Sequence, residues 1–435
     1  MQKIILSLSF ATLCGLTAPV LAAPRTWTDA GGRKVEAEFA GLQGGNVLLK
    51  VVTTGQTMPV PLPRLSAEDQ AHVKTLAGTA LAPVPTPAAG TPAAPPRLPV
   101  EQRSWPQNVE VPARSIEIKA VSESAGERKY VYQSEAFEFT SQAKLAGSVM
   151  KEVARTFEAT RSLVNALPWG IVCRPPEGMP RFKAALYESR QDYIDAGGPE
   201  NSGGVYSTGD KTFKIPFPSL GLEKRGQTYF KNDNYSNGTL VHELTHQMMD
   251  EYLRFLPTWI IEGTAEYTEM LPYKAGTFRA DAHRSGMKDD VAEWEKNEGF
   301  LPDLGKLEEH MTMTRDQWQI ACSSPPKMRE MYHRSQLLVY YFCHLDDDKK
   351  GTRFIRFMEA VHGEVEALRA FFADSRVKQM EGGRFTYPSD MKPPDMSETA
   401  VFKHLPILLA ERPYAKLAAD IIAGYKTIGI KIRVE

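Results

Sequence analysis

The stretch "HELTHQMMDEYLRFLPTWIIEGTAEY", His242 to Tyr267, sets two histidines on either side of a glutamate. After Pro257 it adds a second pair of acids four residues apart, Glu262 and Glu266. Leu240, Val241, Leu244 and Met248 give the opening segment an apolar helical face, so the spacing predicts a helix that Pro257 limits downstream. On such a helix His242 and His246 lie one turn apart and project to the same side, so both imidazoles reach one metal ion. Glu243, beside them, reaches a water on that ion without being a ligand. Zinc that catalyses hydrolysis takes three protein ligands and keeps a fourth position open. The following segment, "WIIEGTAEY", offers Glu262 and Glu266 on one helical face, and spacing alone allows either as the third ligand.

Outside this stretch, composition narrows the class. A chain of 435 residues with 42% apolar and 24% charged residues is that of a folded protein of two or three units. A net charge of −1 without a basic cluster excludes broad attraction to nucleic acid or anionic lipid. At the start, Lys3, an apolar run from Ile4 and small residues at Ala22 and Ala23 read as a secretory signal over residues 1–23. No later stretch reaches spanning length, so the expectation is an exported chain (secreted, periplasmic or cell-surface) with no membrane span after cleavage. Cys173, Cys322 and Cys343 then remain, an odd number without a C-x-x-C pair. That argues against a thiolate metal site and leaves one disulfide plus a free thiol open.

From N- to C-terminus the pattern changes twice. Apolar residues alternate at Val35, Ala37 and Phe39, at Val47, Leu49 and Val51, and at Met58, Val60 and Leu62, which predicts the short strands of a small all-β barrel over residues 24–77. Ser66 with Asp69 three residues later opens a short helix. Residues 78–113 are dominated by Ala and Pro and predict a solvated linker. The remainder, 114–435, begins with strand-like "KYVYQSEAFEFTS". A helix carrying Leu145, Val149, Val153, Phe157, Thr160 and Val164 follows, stopped by Pro168. A strand, a helix entered at Ser189 and stopped at Gly197, and a hairpin turning near Gly209 come next. Beyond the motif the chain is mostly helical. The expected fold is therefore α+β, an active-site lobe over about 129–272 packed on a helical lobe over about 273–435.

Two resemblances add to this reading. Through its Arg-x-Trp-x-Asp opening and its Val-Pro-Leu…Leu-Ser-x-Glu-Asp close, the stretch from Arg25 to about Val73 resembles the Sla homology domain family. That resemblance implies a binding module, with a peptide as its expected partner; a spacing module without ligand stays open. The segment from about Lys129 to Tyr341 resembles the gluzincin metallopeptidases, more narrowly the peptidase MA-like branch, in which H-E-[LI]-T-H-Q is followed by Pro-x-Trp-[IL]-x-Glu-Gly-x-Ala-Glu-Tyr. It implies a zincin-like lobe holding one Zn²⁺ by His242, His246 and Glu262, with Glu266 supporting a histidine from behind. It also implies Glu243 as general base and, from "MYHRSQLLVYYF", Tyr332 as the donor to the oxyanion with Ser335 in the small position; His333 is the alternative donor. No Gly-x-Met-Glu-Asn stretch of the aminopeptidase kind occurs, which tilts the expectation towards an endopeptidase acting on peptide or protein substrates. The hairpin from Gly203 to Phe217 is expected either as an edge strand for extended substrate or as a hairpin buried against the sheet. Two rivals stay open: a retired peptidase lobe serving as a binding scaffold, and a zinc hydrolase of non-peptide amides. The histidines at 72, 283, 310, 344, 362 and 404 have no partner at ligand spacing and are expected on the surface or in packing.

Overall fold

A computed structural model describes residues 25–28, 33–43, 46–52, 57–61, 64–66, 68–70, 72–73, 97–232, 234–380, 385–395 and 397–435. The expected signal segment and most of the Ala/Pro-rich stretch lie outside these residues. The described residues divide into two compact units, one of residues 97–370 with those of 393–435, the other of residues 25–73 with those of 371–392.

In the N-terminal module, β1 (Arg25–Thr28), β2 (Lys34–Gln43), β3 (Asn46–Val51) and β4 (Thr57–Pro61) form an antiparallel meander in that order. Trp27, Ala37, Val47, Leu49, Leu65 and Val73 make its core. Asp69 joins the two ends of the segment: it accepts hydrogen bonds from Arg25 Nη2 and from the Thr28 backbone N–H, both at 2.6 Å. The expected barrel is not closed, since among the described residues β1 and β4 do not pair. The reason is that the outer edge of β1 at Thr28 is taken by the closing segment, with Ser66 N–H donating to Thr28 O and Asp69 accepting from Thr28 N–H.

The larger unit starts earlier than composition suggests. From Arg97 the chain packs instead of acting as a spacer: Trp105 Nε1 donates to Lys350 O at 2.8 Å, and β5 (Asn108–Glu110) pairs with Thr277–Arg279. Past Pro99 the prolines thin out, and Trp105, Val109 and Val111 supply apolar surface that the core accepts. Then come β6 (Lys119–Ser124), β7 (Lys129–Gln133), β8 (Phe137–Ser141), α1 (Gly147–Ala166), β9 (Phe182–Tyr187), α2 (Arg190–Asp195), β10 (Val205–Ser207) and β11 (Thr212–Pro216). The six strands form one mixed sheet in the order β10-β11-β9-β8-β7-β6, with β9 parallel to both its neighbours. α1 crosses from β8 to β9 and presses Phe157 edge-on against Phe137, Phe139 and Phe213 of the sheet. α2 begins at Ser189, whose hydroxyl accepts from Asp192 N–H, and ends before Gly197 at φ +86°, as its turn residues predict.

After the sheet, helices dominate: α3 (Gly238–Met248), α4 (Thr258–Glu269), α5 (His283–Asn297), α6 (Leu307–Met311), α7 (Arg315–Ala321), α8 (Pro325–His344), α9 (Thr352–Ala373), α10 (Leu405–Leu409) and α11 (Tyr414–Thr427). Strands first and helices afterwards is an α+β arrangement. The two lobes expected from sequence share one hydrophobic core running from Ile116 to Ile432. Among the described residues Cys173, Cys322 and Cys343 are free thiols, so the disulfide left open for these three does not form. Among the described residues no helix is long and apolar enough to cross a membrane.

Candidate metal centre

Three anchors set the two motif helices at fixed depth. Gln247 Nε2 on α3 donates to Lys183 O of β9 at 2.9 Å. The Thr245 hydroxyl lies 2.6 Å from that of Thr268, which ties α3 to α4, and Trp259 Nε1 donates to Met311 O at 3.1 Å. On the far side, α4 and α8 approach so closely at Gly263 that a Cβ there would stand 2.4 Å from Ser335 O. Glycine beside Glu262 and a small residue at 335 therefore bring Tyr332 towards the histidines.

At the centre, His242 Nε2 and His246 Nε2 stand 3.4 Å and 3.5 Å from the same oxygen, Glu262 Oε2. Their rings are 4.9 Å apart at 81°, and the three ligand atoms lie within 4.8 Å of one another. All three residues are at most 2% exposed, and both nitrogens of His242 and of His246 and both Glu262 oxygens have no hydrogen-bond partner among the described residues. Buried polar atoms in that state are costly unless something satisfies them. Two imidazoles and a carboxylate converging on a point match the donor set of a catalytic zinc ion. The electrostatics agree: burial disfavours a charged His242, yet Glu262, Glu266 and Glu269 outweigh it and hold the ring well above its ordinary pKa. Burial likewise opposes ionisation of Glu262, but His246 and His242 pull its carboxyl below the usual range. A cluster that draws a proton onto His242 in this way draws a divalent cation by the same field.

Glu243 is fully buried beside this point. Its Oε2 accepts the Tyr206 backbone N–H at 3.0 Å, while Oε1 has no hydrogen-bond partner, and burial raises its pKa. Tyr206 belongs to β10, which is an outer strand of the sheet among the described residues and lies against the glutamate. Tyr332 stacks on His242 with ring centres 6.0 Å apart at 15°, and Trp318 of α7 lies behind it at 6.2 Å. Burial, followed by the nearby Glu262, pushes the Tyr332 phenol well above its ordinary value, so it stays protonated and able to donate.

His333 does not share this position. Its ring stacks on Trp294 at 4.0 Å and meets Phe300 at 4.9 Å, because the next residue on a helix points about 100° away. Glu266 reaches His242 as the resemblance implies, with Oε1 3.4 Å from Nδ1. Sequence reading missed Glu269, whose Oε2 is nearer still at 3.2 Å. Its signal was present: Glu269 lies two turns beyond Glu262, on the same helical face. The other histidines pack or face solvent as expected. His344 Nε2 is 2.8 Å from the Tyr267 hydroxyl and stacked on His283 at 3.7 Å, and His362 Nδ1 is 2.7 Å from the Tyr252 hydroxyl.

Comparison with known families speaks to the other end of the chain. Residues 17–81 match the family described as SLA1 homology domain 1. The N-terminal module is similar to that domain. Asp69, which ties Arg25 and Thr28 to the closing Ser-x-Glu-Asp, gives the matched sequence pattern its physical basis. No curated protein matches the chain.

Proposed function

We propose that the chain is an exported zinc-dependent metallopeptidase of the gluzincin kind, in the peptidase MA-like branch, cleaving within peptide or protein substrates. The observation that carries this reading is the convergence of two imidazole nitrogens on one buried carboxylate oxygen, at 3.4 Å and 3.5 Å, with every one of those atoms lacking a hydrogen-bond partner among the described residues. His242, His246 and Glu262 would hold one Zn²⁺, whose chemistry when bound is to polarise a carbonyl and acidify water. The residues around it divide the remaining work. Glu243 is oriented through Oε2 by the Tyr206 N–H, which leaves Oε1 to take a proton from the attacking water and hand it to the leaving nitrogen. Tyr332 donates to the oxygen that gains charge in the transition state. The position of β10 as an outer strand of the sheet supports an extended substrate bound by strand addition, and the hydrogen bond from Tyr206 N–H to Glu243 puts that strand beside the base.

The SLA1 homology domain 1 match favours a second role, recruitment of a peptide partner by the N-terminal module. A binding protein built on a retired peptidase lobe would use the same module. The experiment that separates them is metal analysis of the purified chain together with digestion of casein and a peptide mixture, with and without a chelator. The peptidase reading expects about one zinc per chain and cleavage that the chelator abolishes. Glu243→Gln should retain zinc and lose about 10²- to 10⁴-fold in rate. Zinc without turnover, or a Glu243→Gln variant as fast as the parent, sinks the mechanism.

A further inference from the structure

The acids behind His242 are arranged in a way that the motif does not specify. His242 Nδ1 faces two carboxylates at once, Glu269 Oε2 at 3.2 Å and Glu266 Oε1 at 3.4 Å. Both belong to α4, three residues apart, and their side chains are 21% and 18% exposed, so solvent screens the contact only in part. His246 differs in its neighbours: among the described residues the carboxylate that approaches it is Glu262, on Nε2, and none is set against its Nδ1. The first residue of α3, one turn before His242 and on the same face, is Gly238. Its φ lies outside the left-handed range, so the backbone does not call for glycine, and alanine is the better helix former. What requires glycine is space: a Cβ at 238 would stand 2.8 Å from Glu269 Oε1 and 3.2 Å from its Cγ.

We infer that Glu269 is a second positioning residue for His242, acting with Glu266 on one ring nitrogen, and that Gly238 is bare so that the Glu269 carboxylate can reach it. Two carboxylates facing Nδ1 favour the tautomer that carries its proton there, which leaves the Nε2 lone pair facing Glu262. They also fix the rotation of the ring about its bond to Cβ. Support of this kind raises the basicity of a ligating imidazole and spares the metal the cost of orienting it. Because the atom a Cβ would strike is the tip of a flexible side chain, a residue larger than glycine at 238 leaves the fold in place and moves the carboxylate.

The inference rests on the zinc reading above, and the test tells the two apart. The purified full chain, stripped of metal, is titrated with zinc in competition with a chromophoric chelator, for the parent, Glu266→Gln, Glu269→Gln, Gly238→Ala and the Gly238→Ala/Glu269→Gln pair. Cobalt(II) spectra report ligand geometry separately, and melting of the metal-free proteins reports the fold. Each single glutamine variant is expected to lose zinc affinity, with Glu269→Gln about 10- to 100-fold weaker than the parent. Gly238→Ala should weaken zinc to a similar degree and perturb the cobalt spectrum, while its metal-free form melts no lower than the parent. The pair should be no weaker than Glu269→Gln alone, because both changes act through one carboxylate. A parent that binds zinc beside a Glu269→Gln variant within twofold of it overturns the inference and leaves the zinc reading standing; so do additive effects in the pair. A parent that takes up no zinc overturns both.

Discussion

Tyr332 shows how much one hydroxyl is asked to do. Its ring lies over His242, and its phenol is held protonated by burial and by Glu262, so in the proposed mechanism it serves as a donor and not as a base. Tyr332→Phe removes the donor and keeps the stacked ring. Steady-state kinetics on a peptide substrate should then show kcat lower by about 10²- to 10³-fold with KM nearly unchanged, since the lost bond forms only in the transition state. Equal kcat in both proteins would return Tyr332 to a packing role. His242 and His246 were legible because helical periodicity puts them on one face, and Glu243 because it stands beside them; Glu262 was chosen over Glu266 only through the family resemblance, since spacing allowed either. The partner of Glu243 was not, because it is a backbone N–H of residue 206, and a main-chain group leaves no mark in sequence. Glu269 was overlooked because it follows the last position of the recognised motif.

At the level of elements, the contact between α4 and α8 governs whether these side chains meet. Gly263 is where the two helices touch, with Ser335 O 2.4 Å and Val339 Cγ2 2.6 Å from the position a Cβ would take. Gly263→Ala gains about 1 kcal/mol of helix propensity. It loses more to overpacking against backbone that cannot swing aside, with a gross cost of about 1–3 kcal/mol or above. Urea unfolding should show a lower midpoint, and turnover should fall as well because α8 carries Tyr332 away from His242. A variant as stable and active as the parent would mean that the helices separate without consequence. α1 and α3 were readable from the apolar face of each, and the β10–β11 hairpin from its turn. β6 was not, since its residues are solvent-exposed on both faces and the sequence "KAVSES" carries no alternation to detect. Nor was the split of "KYVYQSEAFEFTS" into β7 and β8, whose turn at 134–136 contains none of the usual Gly or Pro signals.

For the whole molecule, the shared core makes acid sensitivity a global property. His310 is 2% exposed, and burial, helped by Arg334, lowers its pKa to about 3. The unfolded chain takes up a proton near the ordinary value of 6.5, whereas the folded chain refuses it until about 3, so the unfolded state holds more protons in between. The stability that neutral His310 provides is thus complete above pH 6.5 and is lost as pH falls through the window down to about 3, by up to about 1.36 kcal/mol per pH unit. Urea midpoints measured between pH 7.5 and 4.5 should decline, and His310→Gln, even if less stable at neutral pH, should decline with a shallower slope. Equal slopes would show that His310 titrates alike in both states. By itself the sequence determined which residues share a helical face, where helices start and stop, and which residue types stand ready for a metal, because these are local matters of period, capping and side-chain chemistry. Only the tertiary structure decided that the residues after Arg97 join the core, that the N-terminal strands stay open, and that Tyr332 turns to the histidines while His333 turns to Trp294. It also decided that His242 has two acids behind it. Each of these depends on which surfaces meet between segments far apart in the chain, and close packing, not local propensity, selects among the surfaces that could meet.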